Sequence, residues 1–193
     1  MSLRTRLKTL TRPLHDKLES LEISKKLLSH QIDKADYIAY LIAMKAIHEQ
    51  VESQFSTYFS SNTLQHLMTR QRLALITTDL SALGYSHYDL SEQQAEAWLI
   101  PWSLESLLGA LYVLEGSTLG GQMIAKKTNH IVGNDGLVAT RYFCGYGENN
   151  LAQWQLFTQF LDEFDTKHAN TTDKVVLGAI ATFLSIHQLL KTI

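Results

Sequence analysis

Apolar residues recur along this chain at steps of three and four almost from end to end, and no stretch sustains the alternation of a strand. Leu3, Leu7, Leu10, Leu14, Leu18 and Leu21 trace one stripe along a first helix. Pro13 lies inside it and lacks the amide that would bond back to Thr9, so a kink or a restart is expected there. Asp33 is placed to cap a second helix whose stripe is Tyr37, Leu41, Met44, His48, Val51, Phe55 and Tyr58. A third runs from about Leu64 to Leu83 and stops at Gly84. Ser91 caps a short fourth that Pro101 ends, and Ser103 opens a long fifth reaching about Asn129. Glycine-bearing loops at 133–136 and 145–147 precede two last helices, over about 150–167 and 172–190. Neither a repeat nor a linker divides the chain. The pattern predicts an all-α fold of seven or so helices in a single domain, 1–193.

The fifth helix carries the least ordinary composition. Four of the chain's ten glycines, Gly109, Gly116, Gly120 and Gly121, fall within it. Each costs about 1 kcal/mol against alanine in a helix interior, so something must compensate. At about 100° per residue, Gly109, Gly116 and Gly120 lie within about 40° of one another around the helix. They form a strip of bare backbone that admits either a second helix or a planar ligand. The flexible Gly120-Gly121 step favours a ligand, since packing alone is usually met by alanine.

Composition narrows the function classes. The 193 residues are 45% hydrophobic with two prolines, enough for a sizeable core and unlike a disordered chain. The longest clean apolar run, Leu107–Leu114, is too short to cross a bilayer, and the start shows no secretory signal. A cytoplasmic protein without a membrane span is expected. Cys144 is the one cysteine, which excludes an internal disulfide and any cysteine-based metal cluster. The net charge of −2 gives no reason to expect nucleic acid. Charge is nonetheless uneven: residues 1–26 hold seven Lys/Arg against three acids, a net of +4, leaving −6 for the rest. That basic segment is either a solvated helix face or a docking face for an anion or an acidic protein.

Of eight histidines, His15 stands out by context. No paired Glu-x-x-His motifs of a di-iron bundle occur, and His48-Glu49 lacks the second histidine of a zinc hydrolase, position 52 being Glu52. Lys8 lies on the His15 face about 10 Å along the axis, and Glu19 is one turn onward, able to orient the imidazole. A histidine with a cation in reach suits a heme, with iron on the imidazole and a carboxylate tail on the lysine.

Two segments together resemble the heme oxygenase family. Arg12-Pro13-Leu14-His15-Asp16-Lys17-Leu18-Glu19 is similar to its proximal-histidine helix, and Gly116-Ser117-Thr118-Leu119-Gly120-Gly121-Gln122 to its glycine-rich distal helix. The stretch Leu111–Gly121 is most similar to the bacterial branch associated with phytochromes, and the likeness extends to a late aromatic, Phe183. The resemblance implies a helical bundle sandwiching heme between the first helix and a kinked, glycine-rich distal helix. It implies cleavage of heme to biliverdin with release of carbon monoxide and ferrous iron. His15 would then be the iron ligand and Glu19 its partner, while Gly116, Gly120 and Gly121 let backbone approach the porphyrin and dioxygen. Electrons would come from a small acidic donor such as a ferredoxin, and a bacteriophytochrome is a candidate acceptor of biliverdin.

Two departures from the family pattern matter. Many members carry aspartate after the first distal glycine; here it is Ser117, whose hydroxyl can hold water or bond back to the Val113 carbonyl. The basic residues that grip propionates on the penultimate helix are missing, with Trp154 and Thr158 about where they would stand. Propionate binding then rests on Lys8 and Tyr112, with Arg4 and Arg141 as further candidates. Two other readings stay open: a heme-binding or trafficking protein that leaves the ring closed, and a thiaminase-like enzyme using Cys144 as nucleophile.

Overall fold

Ser2 opens the first helix by accepting the Thr5 amide at 3.3 Å, and α1 (Leu3–Glu19) runs on through Pro13 as one element. In the computed structural model, which describes residues 2–85, 100–131, 133, 137–168 and 171–193, this is the first of nine α-helices among the described residues. The restart expected at Pro13 does not occur, because burial of Leu3 and Leu7 against the body of the protein holds the helix across the missing bond. The leucine stripe is corrected as well. Leu3, Leu7 and Thr11 are buried, Leu10 is 45% exposed, and Leu14 and Leu18 are half-buried. Leu21 belongs to the next element, standing as N-cap of α2 (Glu22–Ser29).

Asp33 caps α3 (Lys34–Glu52) as expected, accepting the Asp36 amide at 2.8 Å. That helix stops earlier than its stripe suggests, and Phe55 begins a separate short α4 (Phe55–Tyr58). The expected third helix is also two pieces: a 3₁₀ segment Gln65–Arg70, then α5 (Leu73–Ala82). Glu52 explains the break, since its Oε1 accepts the amides of Arg72 (2.8 Å) and Leu73 (2.9 Å) and so caps α5 from α3. Gly84, at φ 84°, ends α5 with bonds from Gly84 N to Ser81 O and Tyr85 N to Leu80 O. The short fourth helix capped by Ser91 lies outside the described residues, as do His87 and the loop positions Asn134, Asp135 and Gly136.

Ser103 and Ser106 form a reciprocal capping box that starts α6 (Leu104–Lys127). Its ladder passes through the Gly120-Gly121 step without ending. A one-turn α7 (Arg141–Cys144) follows, so Cys144 sits on a helical turn rather than in a loop. The chain closes with α8 (Asn150–Lys167) and α9 (Thr172–Leu190).

The bundle is built around the pairing of α6 with α9; α1 and α3 pack on α9, α8 packs on α6, and α5 packs on α3. Where α6 and α9 cross, their backbones touch. A Cβ on Gly109 would stand 2.0 Å from the Val175 carbonyl oxygen, and one on Gly178 would stand 2.2 Å from that of Ser106. Gly109 is therefore spent on helix packing and takes no part in a ligand-facing strip. Among the described residues α9 alone passes a membrane-span test of length and composition (mean hydropathy 1.3), and half of it is buried in the bundle.

Gly178→Ala is expected to destabilise the protein by about 3 kcal/mol or more, because neither backbone can yield to the methyl group. Urea unfolding measures it. A loss below about 1 kcal/mol would show that the two helices part without penalty.

Candidate functional site

α1 and α6 run past each other without filling the space between them, and the cleft they leave measures about 960 Å³. α1 contributes Arg4, Lys8, His15 and Glu19 to its lining, and α6 contributes Tyr112, Gly116, Ser117 and Gly120. Tyr40 and Met44 of α3, Trp154 and Thr158 of α8, and Phe183 and Ile186 of α9 complete it. The wall is thus mostly apolar, with cations gathered on the first two turns of α1.

His15 is half-exposed in this cleft, its ring edge on Phe183 at 6.2 Å between centroids. Its Nδ1 lies 3.7 Å from Glu19 Oε1, one turn along the same face, and Nε2 has no partner among the described residues. Asp16 is close enough to complete a three-ligand cluster with His15 and Glu19, but it is engaged by Arg12 at 2.8 Å. Lys8 has no acidic partner among the described residues.

The glycines of α6 divide by neighbour. A Cβ on Gly120 would meet nothing within 4 Å, and one on Gly116 would touch only the Trp154 ring at 3.5 Å. These two open onto the cleft. Gly121 does not: it is buried, and a Cβ there would stand 2.2 Å from the Phe143 carbonyl oxygen. Close packing of α6 on α7 accounts for Gly121, which lies outside the lining.

Ser117 donates to the Leu114 carbonyl at 2.6 Å, one residue along from the Val113 expected by sequence. The same hydroxyl is 3.5 Å from the Arg72 guanidinium, which also holds the Leu114 carbonyl. Arg72 is 2% exposed and covers the Tyr142 ring at 5.3 Å. Beyond it stands His48, buried, with Nδ1 on Glu52 Oε1 at 2.7 Å and Nε2 on the Tyr142 hydroxyl at 3.3 Å. Burial is the largest influence on His48 and holds its pKa below the ordinary value; Glu52 opposes this and the Arg72 charge adds to it. Burial likewise raises the Tyr142 hydroxyl. With a neutral ring donating from Nδ1, Nε2 accepts the Tyr142 proton.

Glu115, 1% exposed, is turned away to Arg70 (2.5 Å) and the Tyr146 hydroxyl (2.8 Å). Among the described residues no carboxylate of α6 lines the cleft. Sequence reasoning missed this whole web. Its signal was present: His48 and Glu52 sit four apart on an apolar face, and Glu115 interrupts an apolar run.

The remaining candidates fall in two groups. Tyr112 lines the cleft and packs on Trp154 at 5.2 Å, and Arg4 lines it too. Arg141 lies outside the lining, held by the buried Asp79 at 3.3 Å. Cys144 is exposed and lies outside this lining, so the nucleophile of a thiaminase-like reading does not face the cleft.

A family model described as heme oxygenase matches residues 1–192. Comparison with curated proteins returns no significant match. Among solved structures, the NO- and CO-bound heme oxygenase from Neisseria meningitidis superposes with a TM-score of 0.76 at 20% identity, covering 100% of this chain and 92% of that one. Heme oxygenase from Leptospira interrogans gives 0.75 at 17%, with both chains covered completely. Heme oxygenase-1 from the cyanobacterium Synechocystis, in complex with heme, gives 0.71 at 18%, covering 100% and 92%. At these identities the superpositions establish the shared all-α fold.

Gly121→Ala is expected to lower stability by about 1–3 kcal/mol, while Gly120→Ala leaves it equal or raises it by up to about 1 kcal/mol. Thermal unfolding of the two variants checks the division. His48 supplies a pH test. Its folded pKa is depressed, so the unfolded chain binds the extra proton first, and stability falls as pH drops below about 6.5, by up to about 1.4 kcal/mol per pH unit. His48→Gln is expected to remove that part of the slope between pH 7 and 5; an unchanged slope would mean His48 is not buried neutral.

Proposed function

The chain belongs to the heme oxygenase family, and from that premise we propose how the residues of the cleft divide the work of opening heme, its substrate, to biliverdin. The observation that carries the assignment is one shared cleft holding both His15, with a ring nitrogen unpaired among the described residues, and the unobstructed backbone at Gly120. Heme itself supplies the iron chemistry that activates dioxygen toward its own ring. The chain supplies orientation, exclusion and protons.

His15 is the iron ligand. Glu19 Oε1 faces Nδ1, which favours the tautomer with the proton there and leaves Nε2 free for metal. Gly116 and Gly120 present flat backbone, so the distal wall comes close to a planar substrate where any longer side chain would stand in its way. Gly121 serves that wall indirectly, by seating α6 on α7.

Ser117 is the polar group of the distal wall. Its proton is committed to the Leu114 carbonyl, leaving an oxygen that would accept a hydrogen bond from water in the cleft. Arg72, Tyr142 and His48 stand behind it and keep both the hydroxyl and that carbonyl in place. A hydroxyl held this way anchors water as an acceptor and introduces no strong acid, and the nearest α6 carboxylate, Glu115, is sequestered on Arg70. Lys8 and Tyr112 are proposed for the propionates, both on the lining.

The electron donor is proposed to be a small acidic protein such as a ferredoxin. The charge of the first segment is more committed than its sequence suggests: Arg6, Arg12, Lys25 and Lys26 are each paired within the chain. Lys8 and Lys17 remain without acidic partners among the described residues, and they are the cations through which an acidic donor would approach the His15 side. A bacteriophytochrome as acceptor of biliverdin rests on the likeness of Leu111–Gly121 to the phytochrome-associated branch.

An aerobic single turnover tests the assignment. Protein loaded with hemin, given reductant in the presence of catalase, is expected to lose its Soret band as a broad red biliverdin absorption grows. His15→Ala is expected to weaken hemin binding and abolish ring opening; turnover at the native rate would remove His15 as the ligand.

A further inference from the structure

The cleft contains one acidic side chain that the reaction does not explain. Asp162 of α8 lines the end of the cleft where α1 begins, one turn beyond Thr158. One of its carboxylate oxygens lies 3.6 Å from the Arg4 guanidinium, joining α8 to α1 across that end; the other is buried with no hydrogen-bond partner among the described residues. A desolvated, unpartnered carboxylate oxygen is unfavourable, so Asp162 is poorly satisfied where it stands.

The Arg4 pair is also loose compared with its neighbours. Arg6 meets Asp173 at 2.6 Å and Arg12 meets Asp16 at 2.8 Å, both within the range of charge-assisted hydrogen bonds. At 3.6 Å, with both side chains partly exposed, Arg4 is held by attraction alone and keeps its fork of donors free. Arg4 and Lys8 are four residues apart on one helix and both face the cleft. Without Asp162 they offer two positive charges to the two carboxylates of heme. With it, the local balance is only +1.

Resting on the heme reading above, we propose that Asp162 is a positioning residue for the substrate's carboxylate tails. It occupies Arg4 as an exchangeable stand-in for a propionate, and its own charge opposes the incoming one. One end of the cleft therefore receives carboxylate through Lys8 more readily than through Arg4, and the two propionates are held unequally. That inequality sets the rotation of the ring in the cleft, and so which meso carbon faces the distal wall. In this chain the α8 side chain that reaches Arg4 is an acid, where a cation would have held both tails alike.

Ferric hemin and its dimethyl ester, which lacks the carboxylates, are the probes. Asp162→Asn is expected to tighten hemin by on the order of three- to tenfold and leave the ester unchanged. Arg4→Gln is expected to weaken hemin by a similar factor, again without effect on the ester. Proton NMR of the heme methyl groups should show a changed ratio of seating orientations in Asp162→Asn. Unaltered hemin affinity in a folded Asp162→Asn protein, or an equal shift for hemin and ester, would overturn the role given to Asp162. Failure of the native protein to take up either porphyrin would overturn the heme reading itself, and this one with it.

Discussion

Backbone contact between α6 and α9 is the constraint from which the site follows. At Gly109 and Gly178 the two helices approach more closely than any side chain would permit, and this fixes the line of α6 through the bundle. Its second half, from Tyr112 to Met123, is carried past α1 as a wall with space in front of it. The same helix then lies on α7 through Gly121. Glycine is used three ways along one element: against α9, against α7, and bare toward the cleft at Gly116 and Gly120. Only the last use faces the cleft, yet it depends on the other two for its position.

Buried charge does the corresponding work for the side chains. Isolated buried ion pairs are weak evidence of stability, because desolvation offsets most of their attraction. Here the return is placement. Glu52 caps α5, binds His48 and thereby fixes where Arg72 enters; Arg72 in turn holds the Leu114 carbonyl beside Ser117. Arg70 and Tyr146 draw Glu115 out of the way. The α6 wall of the cleft is left without a carboxylate among the described residues, as the proposed heme chemistry asks.

On α1 the charges are arranged by what each can reach. Arg4, Arg6 and Arg12 find acids within the chain, while Lys8, on the cleft, and Lys17 have none among the described residues. The expectation of a broadly basic docking segment is thereby narrowed to a few residues. Pairing made the difference, within a helix for Arg12 and Lys25 and across helices for Arg4, Arg6 and Lys26.

Much of this protein was legible without coordinates. Helical period, the caps at Asp33 and Ser103 and the stop at Gly84 depend on local geometry alone, and so they were readable. The likeness of the His15 and Gly116–Gln122 segments to heme oxygenases was carried by residue identity and order, and membership of that family followed. What only the tertiary structure decided was the assignment of neighbours. It gave Gly109 and Gly121 to packing and Gly120 to the cleft, divided the third helix at the Glu52 cap, and moved Leu21 into α2. It also assembled His48, Glu52, Arg72 and Tyr142 from three segments. The reason is physical: a glycine, or a charge on an apolar face, states that something must come close, but which group comes close is settled by the packing of residues distant in sequence.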